Sequence, residues 1–191
     1  MSDLNKQHPA GGSVKLDLGC GPHKKGPEWT GADRLAFPGV DVVIDLAKDD
    51  WPWPDDSVED VFSSHFVEHL DAVQRVKFFN RLWRVLKAGA KAQIIAPHWS
   101  SCRAYGDPTH AWPPMNEFGL FYLNRKWRME NAPHTDIEHW PQGYSCNFDV
   151  TWGYGLSPDI LTRNQEYQAF AVAHYKEAAL DLIATVVAVK P

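Results

Sequence analysis

The apolar positions of this chain fall into short β-type runs and one long helical stripe. Val14 to Leu18 is an apolar run that stops at Gly19-Cys20-Gly21-Pro22, which reads as a strand closing on a sharp turn. Trp29 to Asp33, the β-branched Val40 to Leu46, and Val61 to Ser64 are further strand candidates. The stripe follows. Val73, Val76, Phe79, Leu82 and Leu86 recur at spacings of three and four, which places them on one helix face. Asp71 is the expected N-cap, Arg81, Arg84 and Lys87 lie toward the C-terminal end, and Gly89 is the expected stop. Glu68 and His69 are read as the residues that begin or cap this helix. Lys91 to Ala96 is a strand ended by Pro97. From His98 to Tyr144 the periodicity breaks down, and only Met115 to Leu123 looks helical. Phe148 to Tyr154 and Leu182 to Val189 read as strands, and Gln165 to Tyr175 as a helix. Strands alternating with helical connections predict an α/β fold with a mainly parallel sheet.

Composition narrows the class. A chain of 191 residues with 44% hydrophobic and 23% charged residues is the size and make-up of one globular domain. No run approaches the roughly 18–20 apolar residues needed to cross a bilayer. Met1 to Ser13 is polar and carries no apolar leader core. The three cysteines, Cys20, Cys102 and Cys146, are scattered, so a reducing, cytoplasmic setting without membrane contact is expected. The net charge of -5 and the scattered basic residues disfavour a nucleic-acid partner. Nine tryptophans, nine histidines and fourteen prolines are high counts, and many fall in the irregular 98–144 segment. A stretch this long without regular structure is expected to cover a site.

The sharpest local signal is Asp17-Leu18-Gly19-Cys20-Gly21. A Gly-x-Gly at a strand end lets the backbone turn tightly and approach a ligand. A dinucleotide fingerprint would place a third glycine at position 24 and a helix after it, but the residue is Lys24 and Lys25-Gly26-Pro27 follows. Asp17, two residues before the first glycine, points to a ligand with a positive amine. Asp33 ends the next strand, where a carboxylate can accept hydrogen bonds from a ribose diol. Asp45 ends the third, where it or the Leu46 backbone could meet an adenine edge.

These residues belong to five ordered blocks that resemble class I S-adenosylmethionine-dependent methyltransferases of the small type 11 kind. The blocks are Leu16 to Pro22, Asp41 to Leu46, Trp51 to Ser57, Ser63 to Leu70 and Leu82 to Ala90. They span roughly residues 14–97, the expected cofactor-binding core of a single 1–191 domain, with 145–191 supplying closing strands and a helix. The resemblance implies a Rossmann-like, mostly parallel seven-stranded sheet with an antiparallel closing strand. It implies that S-adenosylmethionine is bound by Asp17, Gly19, Cys20, Gly21 and Pro22, by Asp33 with Arg34, by Asp45 and Leu46, and by His65 near the methyl group. The chain departs from the family in its early helices, since only Pro22 to Glu28 and Leu35 to Gly39 are left for them, and the family's N-terminal lid helix is not expected. Its cofactor site is therefore expected to need a cover, from 98–144 or from a second subunit in a homodimer.

Methyl transfer needs alignment and a dry pocket, with a base only where the acceptor must lose a proton. His65, His98 and His110 are the candidate catalytic residues. Tyr105, Asp107 and Trp112 are the candidate substrate contacts. The expected acceptor is a small molecule. His98, Asp107 and His110, and separately His134, Asp136, Glu138 and His139, are ligand-type groups, but neither set has a tight zinc or iron spacing, so no metal is expected. Trp99, Trp112, Trp127, Trp140 and Trp152 either line a pocket or knit the irregular half to the sheet. A non-catalytic S-adenosylmethionine-binding module is the alternative function, and a nicotinamide oxidoreductase a weaker one.

Overall fold

The computed structural model describes residues 14–135 and 143–191. Its seven strands form one sheet in the order β3-β2-β1-β4-β5-β7-β6. They are β1 (Val14–Leu18), β2 (Thr30–Asp33), β3 (Val42–Val43), β4 (Val58–Ser64), β5 (Leu86–Pro97), β6 (Phe148–Leu156) and β7 (Ala179–Ala188). β1 to β5 pair in parallel, and β7 runs antiparallel to both β5 and β6. The carboxyl ends of β1 to β6 and the start of β7 thus share one edge of the sheet.

Helix α1 (Ala72–Val85) carries the predicted stripe. Asp71 accepts the Gln74 amide at 2.8 Å, and the Gln74 side chain accepts the Asp71 amide at 3.0 Å, a reciprocal cap. Phe78, Phe79, Leu82 and Val85 bury against Leu16, Leu18, Val61, Ala92 and Ile94 of the sheet. Trp51 and Trp53 close the end of this core, with the Trp51 ring 5.5 Å from Phe78. The helix stops before Gly89, because Leu86 turns extended and already pairs with Val58. Gly89 lies in the register shift between that pair and Asp60–Lys91. Glu68 and His69 do not cap the helix. They belong to a 3-10 turn, Val67–His69, that precedes it.

No helix separates β1 from β2 or β2 from β3. Side chains hold the short connections instead. Lys24 pairs with Asp41 at 2.7 Å, Asp41 also accepts the Gly31 amide at 2.8 Å, and the Lys25 ammonium lies 3.9 Å from the Phe62 ring centre. The 98–135 region holds three short helices, α2 (Arg103–Gly106), α3 (Glu117–Phe121) and α4 (Arg125–Asn131), rather than the single one expected. Buried arginines anchor it. Arg75 of α1 donates to the carbonyls of Val67, Ala111 and Pro113, and Arg128 to those of Tyr122 and Cys146. Trp127 and Trp152 both pack on Phe121, tying α3 and α4 to β6. Asp136, Glu138, His139 and Trp140 lie outside the described residues, as does the N-terminal 1–13. Two helices connect β6 to β7, α5 (Pro158–Leu161) and α6 (Gln165–His174).

Candidate functional site

Strand order reverses between β1 and β4, and in open α/β sheets the crevice at such a point, beyond the carboxyl ends, takes the ligand. The β1 loop lies there. Gly19 has φ +73, and its amide donates to the Ala32 carbonyl at 2.8 Å. A Cβ on Gly19 would lie 2.5 Å from the Phe66 ring, so this glycine lets β4's exit pack on the loop. Gly21 has φ +52 and donates its amide to Asp33 Oδ2 at 2.9 Å, yet a Cβ there would meet nothing within 4 Å. Asp33 Oδ1 accepts the Leu35 amide at 3.0 Å. Each Asp33 oxygen therefore keeps one lone pair for a further donor.

Asp17 is 2% exposed and accepts the Lys25 amide at 2.7 Å. Burial pushes its pKa up, against the Lys25 amide and the charges of Lys25 and Lys24. Its Oδ2 holds the loop through the Lys25 amide. Cys20 is buried as well, its thiol pushed up to about 11 by burial and by Asp17 and Asp33. Pro22 and Arg34 are exposed beside the loop. Asp45 accepts the Ala47 amide at 3.0 Å, and the Leu46 carbonyl accepts the Trp51 indole N–H at 3.1 Å.

His65 follows β4 with φ +54. That conformation costs a non-glycine residue about 1–2 kcal/mol. Its Nδ1 is 3.2 Å from Glu68 Oε1, and its Nε2 is 3.9 Å from Asp181 on β7. The Glu68 hydrogen bond, outweighing burial and helped by the charges of Glu68 and Asp181, raises its pKa. Asp181 also pairs with Arg103 at 3.2 Å.

Of the three predicted histidines, His65 and His110 both lie close to Glu68, whereas His98 is engaged with Ser100 and Glu117. His98 is 1% exposed, with Nδ1 2.8 Å from Ser100 Oγ and Nε2 2.9 Å from Glu117 Oε1. Tyr154 donates its hydroxyl to the same Glu117 oxygen at 2.8 Å. Burial would raise the Glu117 pKa, but hydrogen bonds from His98, its own backbone amide and Tyr154, with the His98 charge, bring it down to about 2. Both ring nitrogens of His98 are engaged, and the ring braces Glu117. His110 lies against His69, with ring centres 4.8 Å apart. Asp107 is no orienting partner for it, since Asp107 Oδ2 is 3.8 Å from His110 Nε2 and Oδ1 accepts the Thr109 amide and hydroxyl. Tyr105 is 52% and Trp112 79% exposed, so neither forms the wall of an enclosed substrate pocket.

Two cavities bear on an acceptor. One of about 590 Å³ lies between the end of β6 and α6, lined by Trp99, Glu117, Tyr154, Leu156 and Val172. The other, about 360 Å³, lies between α1 and the cover, against Phe79, Met115, Leu120 and Tyr144, and does not border the β1 loop. Sequence reasoning missed Glu68, Glu117 and Asp181. Glu68 alone left a signal, three residues after His65, and there the capping explanation competed with it.

No protein-family model matches the sequence, and no curated protein matches it significantly. Solved structures do. A SAM-dependent methyltransferase from Archaeoglobus fulgidus superposes with TM-score 0.63 at 21% identity, over 93% of this chain and 86% of that one. One from Methanosarcina mazei gives 0.55 at 15% identity, over 93% of each chain. A putative S-adenosylmethionine-dependent methyltransferase from Listeria monocytogenes gives 0.51 at 15% identity, over 93% and 90%. The chain therefore has the Rossmann-like class I methyltransferase fold, with few helices.

Proposed function

We propose that this chain is an S-adenosylmethionine-dependent methyltransferase acting on a small-molecule acceptor. The observation that carries the reading is the β1 loop at the switch point. There Gly21 leaves open space, and Asp33, hydrogen-bonded to the Gly21 amide, keeps acceptor capacity on both oxygens. These features fit a nucleoside with a free ribose diol. Leu35, 50% exposed and two residues beyond Asp33, offers an apolar surface to an adenine face. When bound, S-adenosylmethionine supplies an electrophilic methyl group.

This chain's own residues then have separate tasks. Asp17 and Lys24 hold the loop, Asp33 orients the ribose, and His65 stands at the tip of β4, where an acceptor atom has to be aligned. The cavity between β6 and α6 is of ordinary small-ligand size, and Trp99 and Glu117 from the 98–144 segment help to wall it. Lys24 in place of a third glycine, and no helix after β1, leave a dinucleotide's pyrophosphate without a helix N-terminus.

The test is titration calorimetry with S-adenosylmethionine, S-adenosylhomocysteine and NAD. Binding of the first two and not of NAD is expected, followed by S-adenosylhomocysteine release in a screen of small acceptors. Absence of binding in the folded protein refutes the cofactor assignment. Binding without turnover on any acceptor favours a non-catalytic module.

A further inference from the structure

Behind His65, the Val67–His69 turn and the 104–112 loop bring three ligand-type side chains together. One ligand-capable atom each from Glu68, His69 and His110 lies within 4.8 Å of the others. Glu68 is 4% exposed, and its Oε2 has no hydrogen-bond partner. A buried carboxylate oxygen left without a donor is costly, so the position favours a cation. Both imidazoles are held from the far side. His69 Nδ1 is 3.3 Å from the Thr109 carbonyl and 3.1 Å from its hydroxyl, and His110 Nδ1 is 3.2 Å from the Ala104 carbonyl. A carbonyl only accepts, so each neutral ring carries its proton on Nδ1 and leaves the Nε2 lone pair available. Metal-bound histidines are oriented in this way. The edge-on contact of the two rings accounts for their packing, but it gives Glu68 Oε2 nothing.

We propose that Glu68, His69 and His110 bind one divalent transition-metal ion of the zinc class, with Asp107 at the rim as a fourth ligand through oxygen. Ligand atoms about 2.1 Å from a tetrahedral zinc are roughly 3.4 Å apart, so side-chain adjustments of about 1 Å close the shell. Two imidazoles with a carboxylate suit zinc, cobalt or nickel, whereas magnesium takes oxygen ligands. Linear spacing hides the site, because His69 and His110 are 41 residues apart. Glu68 also touches His65 through its other oxygen, so the metal lies next to the residue placed at the acceptor. The site goes beyond the methyltransferase reading and does not depend on it.

The experiment uses the tag-free full chain without S-adenosylmethionine, titrated with Zn²⁺, Co²⁺ and Mg²⁺. Expected are one Zn²⁺ per chain, a visible absorption band for the Co²⁺ form, and no Mg²⁺ uptake. His69→Gln and His110→Gln should each weaken Zn²⁺ binding by about tenfold or more and abolish the Co²⁺ band. Glu68→Gln should do the same, and is scored only if its circular dichroism matches wild type. His110→Gln, on the loop, carries the test regardless. Failure of the wild type to bind Zn²⁺, or binding unchanged in both histidine variants, overturns the proposal.

Discussion

Alanine at Gly19 and at Gly21 should damage the protein in different ways. Both glycines have positive φ, +73 and +52, so each substitution puts an L side chain into the left-handed region. That costs about 1–2 kcal/mol in either variant. The space around them differs. At Gly19 the new methyl would lie 2.5 Å from the Phe66 ring, where carbon atoms ordinarily sit about 3.5–4.0 Å apart. Phe66 must move by about 1 Å, and the Phe78 ring, 5.8 Å away by centroid, packs beside it. Overpacking of this kind adds about 1–3 kcal/mol. Gly19→Ala should therefore lose about 2–5 kcal/mol, and Gly21→Ala only about 1–2. At about 2–4 °C per kcal/mol for a chain of this size, the extra loss in Gly19→Ala is visible as a further drop in Tm. Gly21→Ala should instead place its methyl in the open space proposed for the cofactor and weaken S-adenosylmethionine binding about tenfold, a cost of about 1.4 kcal/mol. Urea denaturation and calorimetry on both variants make the comparison. Equal destabilisation of the two, or full S-adenosylmethionine affinity in Gly21→Ala, refutes the division of labour between the glycines.

Asp33→Ala should weaken S-adenosylmethionine binding by about 1–3 kcal/mol through the lost diol hydrogen bonds; calorimetry showing unchanged affinity in the folded variant removes Asp33 from the site. His98→Ala should cost about 1–3 kcal/mol of stability by leaving Glu117 short of a donor, with cofactor affinity intact; a selective loss of turnover without destabilisation contradicts the bracing role. Glu117, held at about 2 against its usual 4.5, stabilises the fold fully above about pH 4.5, and that contribution is lost as pH falls toward 2. Glu117→Gln should thus melt below wild type at neutral pH, with the gap closing on acidification; a gap independent of pH excludes the ionised carboxylate as the cause. Arg75→Lys cannot reach the Val67, Ala111 and Pro113 carbonyls together, so it should cost about 1–3 kcal/mol and open the 104–114 loop to limited proteolysis.

Hydrophobic patterning made much of the scaffold legible. β1 occupies the predicted Val14–Leu18, α1 begins directly after Asp71, and β4, β5, β6 and β7 fall within a few residues of their expected positions. Burial of one face is a local demand, and it imprints a period on the chain. The Gly-x-Gly turn and Asp33 at the end of β2 were legible for the same reason, since a turn's backbone needs are written in adjacent residues. By contrast, the expected Val40–Leu46 strand shrinks to Val42–Val43 and leaves Asp45 two residues beyond it. The 98–144 segment resisted because α2, α3 and α4 are too short to show a period and are fixed by distant groups such as Arg75.

The sequence by itself thus determined which segments become strands, where the long helix starts, and which end of the sheet carries the glycine turn. Only the tertiary structure decided the polar partnerships. It buried Asp17 under the Lys25 amide, engaged both nitrogens of His98 with Ser100 and Glu117, and set His110 beside His69 instead of His98. An apolar side chain is satisfied by any close-packed neighbours, so its pattern survives in one dimension. A carboxylate or an imidazole needs a particular atom about 3 Å away, and chain packing alone determines which atom that is.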